Sequence, residues 1–251
     1  MARPLSQARI LITGASRGIG EAIARELASA GAQLFCTARS RGALERLARE
    51  IRESADSVSI FPLDLSEDGA CEALAREVTR QFDRLDLLVN NAGIARATPF
   101  METSAEELRS HLRLNVEVPF LLTRALLPLL EAAARQGAES EHGEAIVVNM
   151  ASVVAHKGYE KQSAYGASKH GLLGFTRAVA KELQPSGIRV HAISPGATAT
   201  DMIEGVRPDL DPSVLIQPAA IARTVRFLYE MGEGAAIDEI RLRRSGGTPW
   251  A

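Results

Sequence analysis

The sequence predicts an α/β fold, a doubly wound parallel sheet of about seven strands with helices on both faces. Three observations carry that expectation. Apolar strand-like runs alternate with helix-period segments along the whole chain. A glycine-rich turn falls directly between the first strand and the first helix. The 251 residues contain neither a linker-like low-complexity stretch nor an internal repeat, so one domain over 1–251 is expected. In order, strands are predicted at 9–13, 33–37, 58–63, 85–90, 145–150, 188–194 and 237–242, with helices at 18–30, 41–54, 66–82, 104–135, 163–183 and 218–231. Helix punctuation agrees: Gly31 follows the first helix, Ser66 and Ser104 precede acidic residues at helix starts, and Pro185-Ser186-Gly187 closes the helix from Ser163. The polar stretch 136–144 is predicted as a surface loop before the fifth strand.

Composition narrows the function classes. Lys and Arg number 29 against 31 Asp and Glu, a net charge of -2, which gives no basic field for nucleic acid. Charge or proline interrupts every long apolar run, and the first residues lack a leader's apolar core, so neither a membrane span nor a signal peptide is expected. The cysteines, Cys36 in a strand-like run and Cys71 on a predicted helix, read as half-buried or core thiols. The five histidines are scattered without ligand spacing, so no metal site is predicted. A reducing, cytoplasmic setting follows as the expectation.

The turn Thr13-Gly14-Ala15-Ser16-Arg17-Gly18-Ile19-Gly20 lies between strand and helix. Glycines there allow a sharp turn and close approach of a pyrophosphate, and the helix N-terminus offers free N–H groups. The second strand ends at Ala38-Arg39. An acid near that point would accept the ribose 2′-hydroxyl of NAD; here alanine and arginine stand instead. Arg39, with Arg17 converging on the same site, can bind a 2′-phosphate, which favours NADP(H) over NAD(H).

Further along, Tyr165 and Lys169 are four residues apart on a predicted helix and so share a face, with Ser152 thirteen residues upstream. A free phenol titrates near pH ~10; a fixed cation beside it favours the phenolate and makes it a usable acid or base. All four lysines lie between 157 and 181 in an otherwise arginine-rich chain, which sharpens the case for Lys169. Ser152 is placed to hydrogen-bond the reacting oxygen.

Together these residues resemble the short-chain dehydrogenase/reductase family, and the match covers nearly the whole chain. Its motifs occur in order: Thr13-Gly14-x-x-x-Gly18-x-Gly20, Asp64-Leu65, Asn90-Asn91-Ala92-Gly93, Asn115 within Leu114-Asn115-Val116, Ser152, Tyr165 and Lys169, and Pro195-Gly196-Ala197-Thr198-Ala199-Thr200. The resemblance implies a Rossmann-type sheet and hydride transfer between a nicotinamide and a carbonyl or secondary alcohol. It implies a catalytic set of Asn115, Ser152, Tyr165 and Lys169. Tyr165 would move the proton, Lys169 would bind the nicotinamide ribose and lower the phenol pKa, and Asn115 would support a proton-carrying water. Gly14, Ser16, Arg17, Gly18, Ile19 and Gly20 would hold the phosphates. Arg39, Asp64 and Leu65 would meet the adenosine. Asn91, Ala92, Gly93, Pro195, Gly196, Thr198 and Thr200 would line the nicotinamide side with Tyr165 and Lys169. Thr198 departs from the usual aliphatic residue. The basic tail 241–251, ending Trp250-Ala251, is a second departure.

Substrate selection is expected from loops past the strand ends: Ile94 and Arg96, then Val153, Val154 and His156, then Met202, Ile203 and Val206. The short stretch between Thr200 and Pro218 predicts an open site. Alternatives at this stage are an NAD(H)-dependent alcohol dehydrogenase, a 3-oxoacyl reductase, and a non-catalytic nucleotide-sensing regulator. The turn 184–187 carries no cation for an acyl carrier protein, which counts against the second; retention of Tyr165 and Lys169 counts against the third. A homodimer or homotetramer is expected through the helices holding Leu121, Leu122, Leu172 and Phe175.

Overall fold

In the computed structural model, which describes residues 4–138, 145–231 and 235–248, seven strands form one parallel sheet. They are β1 (Arg9–Thr13), β2 (Gln33–Ala38), β3 (Ser57–Pro62), β4 (Leu87–Asn90), β5 (Ala145–Met150), β6 (Ile188–Pro195) and β7 (Glu239–Leu242). Their spatial order is β3-β2-β1-β4-β5-β6-β7, so the winding reverses between β1 and β4. Parallel neighbours demand crossovers, and helices supply them: α1 (Gly18–Ala28), α2 (Arg41–Ile51), α3 (Ala70–Gln81), α4 (Ala105–Leu112), α5 (Val118–Ala125), α6 (Leu127–Ala138), α7 (Ser163–Leu183), α8 (Asp201–Val206) and α9 (Pro218–Glu230). This is the Rossmann-type doubly wound sheet the pattern predicts.

Strand alternation divides the core in two. Ile10, Ile12, Leu34, Val89 and Val148 face α1, α2 and α9, against Ile23, Leu27, Leu47 and Val225. Leu11, Phe35, Leu88 and Val147 face the other side, against Leu74, Val78, Leu122 and Leu130. Both faces are covered, which is why these strands read as continuous apolar runs. Cys36 and Cys71 are free buried thiols, and burial pushes them up to about 12 and about 11.

Four expectations shift. Ser66 does not cap the third helix: Asp64 Oδ1 captures its N–H at 2.9 Å and its hydroxyl at 2.6 Å, a local turn, and the helix starts later, after Gly69 at φ 73°. Ser104 does cap, accepting from Glu107 N at 3.0 Å. The single helix predicted over 104–135 is three, with a π-helical turn over Arg113–Glu117 and a break at Leu126. Leu122 and Leu172, expected at a subunit contact, lie in the monomer core. Of the predicted loop 136–144, residues up to Ala138 continue α6, and 139–144 lie outside the described residues. Trp250 also lies outside them, but the basic tail before it folds onto itself. The Arg243 guanidinium donates to the carbonyls of Arg244, Ser245 and Gly247. Among the described residues no helix is long and apolar enough to cross a membrane.

Candidate active site

The winding reversal between β1 and β4 leaves a crevice beyond the carboxyl ends of the strands, the ligand position of this architecture. A cleft of about 1140 Å³ opens there, lined from the glycine turn to α8. Gly14 and Gly18 take φ of 68° and 58°, where a side chain is strained. A Cβ on Gly20 would strike the Gly14 carbonyl, and one on Gly14 would come within 2.9 Å of Ala92 Cα. The helix that follows has no side-chain cap at Arg17, so its first N–H groups remain available to an anion. A backbone cradle of this kind fits a dinucleotide pyrophosphate.

The segment after β4 holds that cradle in shape. Thr13 Oγ1 accepts from the backbone N–H groups of Asn91 and Ala92, each at 3.0 Å, and donates to Val89 O at 3.2 Å. Asn91 Nδ2 donates to Thr13 O at 2.9 Å and Gly14 O at 3.3 Å. Its amide therefore clamps the turn, while Ala92 and Gly93 carry the cleft wall onward. Gly93 has no room for a Cβ, which would sit 2.9 Å from Asn115 Oδ1.

At the adenosine end Ala38, Arg39, Asp64 and Leu65 line the cleft as expected. Arg17 lines the same cleft, but the two arginines pair with different acids. Arg39 Nη1 lies 3.7 Å from Asp64 Oδ2, and Arg17 Nη1 lies 2.9 Å from Asp201 Oδ2 at the start of α8. Burial pushes the Asp64 carboxyl up, but the Ser66 hydrogen bonds and the Arg39 charge outweigh it and hold the group below its ordinary value. Each guanidinium thus has an acidic neighbour competing for it, a pairing across the fold that sequence spacing does not reveal.

The candidate catalytic residues come together from three elements. Ser152, buried just past β5, accepts from Val154 N at 3.2 Å and lines the cleft together with Tyr165. Tyr165 and Lys169 stand one turn apart on α7, the ammonium 5.9 Å from the phenol ring centre. Lys169 Nζ donates to Met150 O at 2.7 Å. Burial pushes the lysine down to about 8. It also pushes Tyr165 up, with only the Ser152 hydroxyl pulling the other way. The expected lowering of the phenol by Lys169 is therefore absent from this geometry, because the ammonium is turned to a backbone carbonyl. Asn115 lies in the π turn and is wholly buried. Its Oδ1 accepts from Ile94 N, and its Nδ2 donates to Ile94 O and Ser168 Oγ, each at 2.9 Å. The side chain is spent on fixing the cleft wall to α7.

Pro195, Gly196, Thr198 and Thr200 line the cleft opposite, with Ser16 and Ile19 on the turn side. Thr198 turns its hydroxyl to Gly196 O at 3.0 Å, closing a local turn in place of aliphatic packing. Of the predicted substrate residues, Ile94, Val154, Met202, Ile203 and Val206 face the cleft. Arg96 and Val153 are not among the lining residues. His156 is turned away: its Nε2 lies 2.5 Å from Glu239 Oε1 on β7, which also accepts from Ser194 Oγ at 2.6 Å. Leu114, Tyr159, Gln162 and Arg207 line the cleft and were missed. Gln162, three residues before Tyr165, was within reach of inspection; the others depend on loop paths that spacing does not fix.

The glycine turn, the sheet order and the Ser152–Tyr165 pair define a short-chain dehydrogenase, and the family's model, described as short chain dehydrogenase, matches residues 8–211. The chain belongs to this family. It is 33% identical over 245 residues to the 3-oxoacyl-[acyl-carrier-protein] reductase of Vibrio cholerae, covering 94% of this chain and 95% of that one. The alcohol dehydrogenase of the archaeon Thermococcus sibiricus, complexed with 5-hydroxy-NADP, superimposes with a TM-score of 0.85 at 29% identity, over 97% of this chain and 99% of that chain. The 3-ketoacyl-(acyl-carrier-protein) reductase of Brucella melitensis, complexed with NADH, gives 0.81 at 29% identity, over 94% and 98%.

Proposed function

We propose that this chain is an NADP(H)-dependent oxidoreductase acting on a carbonyl or secondary alcohol through Ser152, Tyr165, Lys169 and Asn115. One observation carries the reading: Ser152, Tyr165 and Lys169 open into the same cleft as the glycine turn. The nicotinamide, when bound, supplies or takes the hydride. The rest falls to the protein. The glycine turn and α1 hold the phosphates, and Arg39 with Arg17 takes the 2′-phosphate after leaving Asp64 and Asp201. Ser152 and Tyr165 bind the substrate oxygen. In reduction Tyr165 gives that oxygen a proton, and burial keeps the phenol protonated until then. Lys169, with a pKa near working pH, binds the ribose and refills the phenol. Asn115 fixes Ile94, so the wall opposite the reacting carbon stays in place.

A second reading is the 3-oxoacyl thioester subclass, favoured by the Vibrio cholerae relative. The cation-free turn 184–187 does not weigh against it. That turn follows the 21-residue α7, whose first turns bear Tyr165, so it lies roughly 30 Å along the helix from the cleft. Arg207, paired with Asp209 at 2.7 Å, is one of the cations that line the cleft itself. The test is a panel of ketones, 3-oxoacyl thioesters and secondary alcohols with NADPH, NADH and their oxidised forms, followed at the nicotinamide absorbance. Reduction with NADPH preferred is expected. Nicotinamide binding without turnover on any compound would favour the regulator instead.

A further inference from the structure

His111 is the one buried residue of α4, one turn before Asn115. Its ring has no solvent exposure at all. Nδ1 lies 2.8 Å from Glu107 O. A carbonyl only accepts, so Nδ1 carries the hydrogen, and the neutral ring keeps a bare lone pair on Nε2. Among the described residues Nε2 is buried without a hydrogen-bond partner. The imidazole meets the Tyr165 ring edge-on, centroids 6.2 Å apart and planes at 62°.

A buried acceptor with no partner carries a desolvation cost that an apolar residue of similar size would avoid. Packing alone therefore does not account for an imidazole here. Its neighbours point to what does. Asn115 donates to Ser168 Oγ, and Ser168 Oγ donates to Tyr165 O at 2.7 Å. The backbone of Tyr165 is thus tied to the π turn, and the ring is braced from the same side by His111. The Nδ1–H bond to Glu107 keeps the imidazole from rotating, so the face it offers the phenol is fixed.

We propose that His111 is a positioning residue for Tyr165, its locked ring setting the attitude in which the phenol hydroxyl meets Ser152 and the substrate oxygen. This rests on Tyr165 being the acid. The test compares His111→Phe, which keeps a flat ring and loses the lock, His111→Leu, which loses both, and His111→Gln, which keeps a donor toward Glu107 O. Turnover is measured on the best carbonyl compound of the panel. Each protein is also labelled with tyrosine carrying carbon-13 at Cζ, which gives one signal for each of the three tyrosines. The Phe and Leu variants should lose roughly tenfold to a hundredfold in kcat, the cost of a misplaced reacting group. KM for NADPH should hold, and the Gln variant should recover part of the loss. The unfolding midpoint should stay or rise by about 2–4 °C as the unpaired nitrogen disappears. Only the Tyr165 signal should move or split. If Phe and Leu keep kcat within about twofold and the Tyr165 signal stays put, the proposal is overturned. It is overturned equally if the midpoint falls and all three signals move together, which would make His111 a plain core residue. Should the Leu variant fail to fold, Phe and Gln give the same comparison. A parent with no turnover on any compound would sink the reductase reading, while the carbon-13 comparison would still decide whether His111 places the ring.

Discussion

Replacing Ala38 with Asp and Arg39 with Ala should invert the cofactor preference. Ala38 ends β2 at the cleft wall, and Arg39 beside it is held by Asp64 at 3.7 Å. A charge-assisted guanidinium–phosphate contact contributes about 1.5–3 kcal/mol. Forming it gives up an exposed Arg–Asp pair, which contributes about 0.2–1 kcal/mol. The net of about 0.5–2.8 kcal/mol corresponds to roughly twofold to a hundredfold tighter NADPH than NADH in the parent. The Arg39 side chain is 71% exposed, so the margin should narrow as salt rises. In the variant the carboxylate repels the phosphate and accepts from the ribose hydroxyls, and NADH should bind the tighter. Calorimetric titration of both proteins with both cofactors, at low and high salt, reads the effect directly. Equal affinities in the parent, or a preference indifferent to salt, would refute the role given to Arg39.

Gly20→Ala should destabilise the fold by about 1–3 kcal/mol in urea titration, because the added Cβ meets the Gly14 carbonyl and Asn91 Nδ2, and backbone has no room to yield. Lys169 should give stability a rise with pH. Its native pKa is about 8 against an ordinary 10.5, so below pH 8 the buried ammonium costs the native state. That cost lifts above pH 8, by at most about 3 kcal/mol. Tyr165 is shifted upward, so above pH 10 the unfolded chain loses its phenol proton first and stability falls again. Lys169→Met should flatten the rise between pH 8 and 10 in denaturant midpoints. Phe120 on α5 is 46% exposed, stacks on Phe175 of α7 with ring centres 5.4 Å apart, and lies beyond what the core needs. We infer a symmetric contact there, and Phe120→Glu should shift light-scattering mass from dimer or tetramer toward monomer, whereas a monomeric parent would refute it.

The five inner strands were legible because each is buried on both faces and bounded by turn residues, and the glycine turn because its location after β1 has one common purpose. Helix ends were legible where the cap is local, as at Ser104, and misread at Ser66, where Asp64 two residues back takes the same hydroxyl. The π turn was invisible: one extra residue per turn over Arg113–Glu117 leaves the apolar spacing nearly unchanged. The glycine turn, Ser152, Tyr165 and Lys169 were read by motif, and all of them line one cleft. What escaped depends on contacts between distant residues. His156 goes to Glu239, 83 residues away, and Arg17 to Asp201, 184 away. Four residues separate His111 from Asn115, but nothing in that spacing announces a ring against Tyr165.

The central claim is that Tyr165 is the proton donor in a cleft that binds NADP(H), and Tyr165→Phe tests it most directly. The ring still packs against His111 and over Lys169, so NADPH affinity should stay within about threefold while kcat falls by about 10²–10⁴ as the transferable proton is lost. Both numbers come from one preparation, by titration and by single-turnover reduction of the best carbonyl substrate. Retained affinity with lost turnover is the predicted result; turnover within about tenfold of the parent would show that another group supplies the proton.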